Sequence, residues 1–143
     1  MGSNVERGRR FQDEARTVFE KALGVSFNSE VAIAVGQPPK AHKFDLVSSD
    51  RQWFVECKNL AWRESGGVPQ AKMTSLGEAA ATLRMLPSDF KKVLCVRRAT
   101  HPKRKETLGE YYVRLQRHLL ADVALAEIDP NSQSIRWLVG GLT

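Results

Sequence analysis

The stretch from Lys43 to Asn59, KFDLVSSDRQWFVECKN, constrains the fold of this chain more than any other. Two alternating runs flank the polar tetrad Ser48-Ser49-Asp50-Arg51, the pattern of a β-hairpin. With a symmetric turn, Asp45 falls opposite Glu56 and Lys43 opposite Lys58. Side chains alternate faces with a period of two, so Phe44, Leu46, Trp53, Val55 and Cys57 share one face. Lys43, Asp45, Val47, Phe54, Glu56 and Lys58 share the other. A one-residue slip would set Asp45 beside Val55 and scramble the apolar face, so the hydrophobic pattern selects this register. The selected register carries a cost, because two carboxylates set side by side across strands repel. A cation relieves it. Lys58 lies diagonal to Asp45, and a divalent metal suits the pair better still.

Length and charge narrow the remainder. A chain of 143 residues makes about one domain, 1–143, long enough to bury a core without staples. Lys and Arg outnumber Asp and Glu by 22 to 16, a formal charge of +6, which places a polyanion among the expected partners. No apolar run approaches the roughly 18 residues that span a bilayer, and no signal-peptide pattern opens the chain. A membrane partner is therefore not expected. Only Cys57 and Cys95 are present, each in a strand-like run, where a buried free thiol is the ordinary reading. This pattern points to a reducing, cytoplasmic setting without a zinc site or a disulfide framework.

Taken in order, the pattern predicts a helix over about Val5 to Leu23, capped by Ser3 or Asn4 and stopped by Gly24. Phe11, Ala15, Val18, Phe19, Ala22 and Leu23 form its apolar stripe, and Gln12, Glu14 and Glu20 could reach a site at its edge. A strand is expected over about Glu30 to Val35, broken by Gly36-Gln37-Pro38-Pro39. Beyond the hairpin, Asn59 to Pro69 reads as a loop, and Pro69 or Gln70 opens a helix to about Leu86. Lys91 to Val96 reads as a buried strand, so strand, helix and strand imply a parallel pair joined by a crossover. Arg97 to Lys105 is a basic segment, either a solvated loop or a phosphate contact. A helix over Thr107 to Leu120 and a hairpin of Val123–Ile128 and Ser134–Val139 complete the chain. The expected fold is α/β, an α/β/α layered domain around a mixed sheet.

An acidic residue followed by Glu-x-Lys is a short pattern, and its plain reading is a solvated strand face. Its setting adds weight, because a helix precedes the hairpin and a parallel crossover follows it. In that setting Asp45 and Glu56-Cys57-Lys58 resemble the PD-(D/E)XK nuclease superfamily, the restriction-endonuclease-like fold, over a core of about 5–96, with 97–143 outside it. Phe44 stands where that family often has Pro before the Asp. The resemblance implies Asp45, Glu56 and Lys58 as catalytic residues. It further implies Mg²⁺ or Mn²⁺ on Asp45, Glu56 and the Cys57 backbone carbonyl. Many members add a Glu in the first helix a few residues after a Gly; here Gly8 is followed at that spacing by Gln12, with Glu14 two positions on. Lys43, Trp62, Gln70, Lys72, Arg97 and Arg98 are candidate nucleic-acid contacts. The expected function is a metal-dependent nuclease on DNA, with RNA less favoured, acting as a homodimer. The alternative is a catalytically silent nucleic-acid-binding or protein-interaction module on the same fold.

Overall fold

The structure, a computed structural model, describes residues 3–141. Three helices, a short 3₁₀ turn and six strands follow in the order α1 (Asn4–Leu23), β1 (Phe27–Val35), β2 (Lys40–Ser48), β3 (Trp53–Lys58), α2 (Gln70–Arg84), β4 (Lys91–Arg97), α3 (Leu108–Gln116), the 3₁₀ turn Arg117–Leu119, β5 (Ala124–Asp129) and β6 (Ser134–Val139). The strands form one sheet in sequence order. β1, β2 and β3 pair antiparallel, β3, β4 and β5 pair parallel, and β6 returns antiparallel on β5. The fold is therefore α/β with an open mixed sheet, as the pattern of elements predicts.

Each face of the sheet carries its own core. Phe11, Ala15, Val18 and Phe19 of α1 pack on Leu46, Val55, Val93 and Cys95. On the other face Leu76, Ala80 and Leu83 of α2 and Leu108 and Tyr112 of α3 pack on Phe54, Leu94 and Val96. β3 and β4, sandwiched between the layers, are buried along most of their length, as expected of parallel strands covered on both sides. Among the described residues, no helix is long and apolar enough to cross a membrane.

Several boundaries move for physical reasons. β1 starts at Phe27, not Glu30, because the ladder to β2 begins at the Phe27–Ser48 pair and the Phe27 N–H is held by Glu20 Oε2 at 2.8 Å. α2 opens at Gln70, one of the two starts the sequence offers, and ends at Arg84, two residues short of Leu86. α3 stops at Gln116, where the chain tightens into the 3₁₀ turn. β5 extends the parallel sheet beyond β4, and its Leu125 and Ala126 enter the two cores.

The largest correction concerns Phe44. Simple alternation puts it with Leu46, yet it lies in the α2-side core with Val47 and stacks edge-on against Phe54 at 5.5 Å. The cause sits in the neighbouring strand. Register pairs run from Phe27–Ser48 to Ser29–Leu46 and resume at Val31–Phe44, skipping Glu30 and Asp45, and Glu30 adopts a left-handed φ of 55°. That local kink turns the first half of β2 relative to the second.

α3 is locked to the sheet through a buried carboxylate. Glu127, 1% exposed, accepts from Arg136 Nε at 3.0 Å and from the Thr107 hydroxyl, while Thr107 and Glu110 form a capping box at the helix start. A Cβ on Gly109 would stand 2.7 Å from Glu127 Oε2 and 2.9 Å from Leu138 Cδ1. Gly109→Ala should therefore cost about 1–3 kcal/mol and lower Tm by roughly 3–10 °C. Thermal denaturation followed by circular dichroism checks this, and an unchanged Tm contradicts the close packing.

Candidate functional site

Local chain geometry builds the site at the open end of the β2–β3 pair. Ladder pairs join Leu46 to Val55 and Val47 to Phe54, the register the sequence selects. Continued by one step, that register sets Asp45 across from Glu56. Here the regular ladder stops and the two carboxylates take over. The Cys57 N–H donates to Asp45 Oδ2 at 2.7 Å, and the Asp45 N–H donates to Glu56 Oε1 at 3.3 Å. Each acid thus holds backbone of the opposite strand. Lys43 and Lys58 do not continue the pairing, and Lys43 is exposed.

Glu56 is 5% exposed and Asp45 half-buried. Burial, then the charge of Asp45, pushes the Glu56 carboxyl up to about 8, far above its ordinary 4.5. Burial also raises Asp45, against the Cys57 N–H and the Lys58 charge, which both pull it down. A neutral Glu56 beside Asp45 relieves the repulsion that two adjacent carboxylates would carry. The half-buried Lys58 side chain makes no hydrogen bond or ion pair among the described residues, yet its charge is felt by both carboxyls.

His42 is the residue that sequence reasoning passed over in favour of Lys43. Its Nε2 lies 3.2 Å from Glu56 Oε1, and its ring packs edge-on against Phe44 at 4.6 Å. Burial lowers its pKa, so near neutral pH it meets Glu56 as a neutral hydrogen-bonding partner. The kink at Glu30 and Asp45 is invisible in a period-two reading, and that same kink brings the His42 and Phe44 rings to the Glu56 side of β2.

The donor set suits a hard divalent cation. Among the described residues no hydrogen bond engages Oδ1 of Asp45 or Oε2 of Glu56, so each acid keeps one unused oxygen. An extended residue sends its N–H and C=O to the same side, so the Cys57 carbonyl opens toward the strand edge where Asp45 stands. No group of three or more His, Cys, Asp or Glu side chains among the described residues could hold a metal ion. Mg²⁺, however, typically uses one or two carboxylates and keeps several waters.

Beside Lys58 the starts of α1 and α2 converge. A cavity of about 250 Å³ is lined by Arg7, Gly8, Cys57, Lys58 and Lys72. A second, of about 450 Å³, shares Arg7, Asn59 and Lys72 and extends to Arg10, Glu14 and Arg97. Lys72 is fixed on the wall by donating to the Asn59 carbonyl at 2.9 Å. Of the first-helix candidates, Glu14 turns to Arg97 at 3.9 Å. The Gln12 side chain, half-buried and one turn beyond Gly8, makes no hydrogen bond among the described residues.

Other candidates lie elsewhere. Gln70 lines a separate groove of about 260 Å³ between α2 and α3, beside Tyr111 and Leu115. Trp62 is held as a packing residue: its Nε1–H donates to Ala99 O at 2.8 Å, and its ring meets His101 at 4.7 Å and Tyr111 at 5.8 Å. The basic segment is correspondingly ordered, with His101 Nδ1 accepting from the Lys103 and Arg104 N–H groups. Arg98 is exposed just beyond β4.

No protein-family profile matches the sequence, and no curated protein gives a significant match. Among solved structures, SfsA of Pyrococcus furiosus, determined in complex with Ca²⁺, is 18% identical with a TM-score of 0.41. The match covers 91% of this chain, and the chain spans 62% of the length of that protein.

The buried acid pair sets the pH response of the protein without metal. A carboxyl raised from 4.5 to about 8 stabilises the fold fully below about 4.5, and that contribution is lost as pH rises through about 8. Glu56→Gln stays neutral throughout. In chelator at pH 8.5 it should melt about 4–10 °C above wild type, with the gap narrowing toward pH 5. Parallel melting curves across that range would contradict the buried-acid assignment.

Proposed function

We propose that this chain is a metal-dependent phosphodiester hydrolase acting on nucleic acid, DNA favoured over RNA, with Asp45, Glu56 and Lys58 as its catalytic set. The observation that carries the reading is the interlocked acid pair of Asp45 and Glu56, with Lys58 next to it on the wall of a basic cleft. The resemblance of Asp45 and Glu56-Cys57-Lys58 to the PD-(D/E)XK pattern supports the same reading.

In this reading Asp45, Glu56 and the Cys57 carbonyl hold Mg²⁺ or Mn²⁺. When bound, the ion supplies charge neutralisation at the phosphodiester and acidifies water. The protein's own groups do the positioning. His42 and the Asp45 N–H fix Glu56 Oε1, which settles the orientation of the whole carboxylate. The Cys57 N–H does the same for Asp45 through Oδ2. The Lys58 ammonium orients the attacking water and donates to phosphate oxygens as negative charge builds on them. Lys72 and Arg97 receive flanking phosphates. One site cuts one strand, so scission of a duplex calls for a second copy of the chain.

Supercoiled circular DNA provides the test. Wild type should nick it with Mg²⁺ or Mn²⁺ and stop in chelator. Asp45→Asn and Lys58→Ala should each slow nicking by roughly 10²–10³-fold, with Asp45→Asn melting no lower than wild type. Nicking that survives chelator, or that Lys58→Ala leaves intact, rules out this assignment. Binding to DNA with no metal-dependent cleavage would favour the silent module on the same fold.

A further inference from the structure

The cleft beside Lys58 holds more positive charge than its own carboxylate balances. Among the described residues lining the larger cavity are Arg10, Lys72 and Arg97, with Glu14 the carboxylate in their midst. That acid does not turn to Asp45 and Glu56 but bridges to Arg97 at 3.9 Å, and both side chains are about one-third exposed, 36% each. Lys72 is anchored to the Asn59 carbonyl, so its charge is fixed on the wall between the two cavities. Like charges gathered around a groove repel one another until an anion enters. The two cavities share Arg7, Asn59 and Lys72, so the groove is continuous from Lys58 to Arg97.

We infer that this groove seats successive phosphates of a polynucleotide strand, held by Arg10, Lys72 and Arg97, and that Glu14 occupies the Arg97 phosphate position until the strand displaces it. The inference rests on the nucleic-acid reading of the site and adds the path of the strand. It also gives Glu14 a role other than metal ligand: a built-in competitor that sets how tightly the track closes on its ligand. A strand entering the groove exchanges the Glu14–Arg97 contact for a phosphate–Arg97 contact, and bound counterions leave as it does so.

Fluorescence polarisation in chelator tests this, because binding is then read without cleavage. The probes are a labelled 20-nucleotide DNA as single strand and as duplex, and the tighter form is carried through the variants. Arg10→Ala and Lys72→Ala should each weaken binding by about 3–10-fold and lower the slope of log K against log salt by about one. Glu14→Gln should tighten binding by about 3–10-fold and steepen that slope. Lys40→Ala and Glu78→Gln carry the same changes of net charge at exposed positions outside the groove, and each should change affinity less than about twofold. Absence of binding to either probe, an unchanged affinity for Glu14→Gln, or equal effects from the control variants overturns the track. These outcomes separate it from the hydrolase reading. Metal-dependent nicking with insensitive binding removes the track alone, whereas the expected binding pattern without nicking under any metal removes the hydrolase alone.

Discussion

The mutual capture of Asp45 and Glu56 is the interaction on which the rest of the site depends. Where the β2–β3 ladder ends, each acid takes a backbone N–H from the opposite strand, so two side chains replace the missing rungs. The shorter of the two, from the Cys57 N–H to Asp45 Oδ2 at 2.7 Å, and the longer, from the Asp45 N–H to Glu56 Oε1 at 3.3 Å, place both carboxyls within one small volume. The arrangement stabilises strand pairing and at the same time assembles an electrostatic conflict. With Glu56 buried and Asp45 half-buried, protonation of Glu56 relieves that conflict.

Everything around the pair follows from what the fold must do at that point. β3 is covered by α1 on one face and by α2 on the other, so a carboxylate at its end is desolvated from both sides. The starts of the same two helices converge on Lys58. Helix N-termini bring unpaired amides and positive dipole ends, and here they also bring Arg7, Arg10 and Lys72. The acid pair therefore lies beside a groove lined by basic side chains. Two adjacent fields of opposite sign are the arrangement on which the proposed hydrolysis of a polyanion rests.

Much of this was legible in the residues. The register of the hairpin follows from which residues must be buried, and Leu46–Val55 and Val47–Phe54 pair as that argument requires. Buried β4 and the apolar stripe of α1 announced themselves through periodicity in the same way. The side of the sheet on which Phe44 packs did not, because the kink at Glu30 and Asp45 has no signature in an alternating pattern. His42 was hidden by the same kink. Glu14 and Gln70 show a second limit: spacing along a helix gives a face, whereas the neighbours of that face come from tertiary packing. Thus Glu14 meets Arg97 from the end of β4, and Gln70 faces the groove against α3. Trp62 lies in a Gly-containing loop, and its contacts with Ala99, His101 and Tyr111 come from distant segments that no local pattern reveals.

The central claim is that the Asp45–Glu56 pair exists to hold a divalent cation. Anomalous diffraction from crystals soaked in Mn²⁺ near pH 8 tests it most directly, because it reports position as well as binding. The account predicts an anomalous peak within about 2.0–2.6 Å of a carboxylate oxygen of both Asp45 and Glu56. Well-diffracting soaked crystals with no peak there, or with manganese only at other acids, would contradict it.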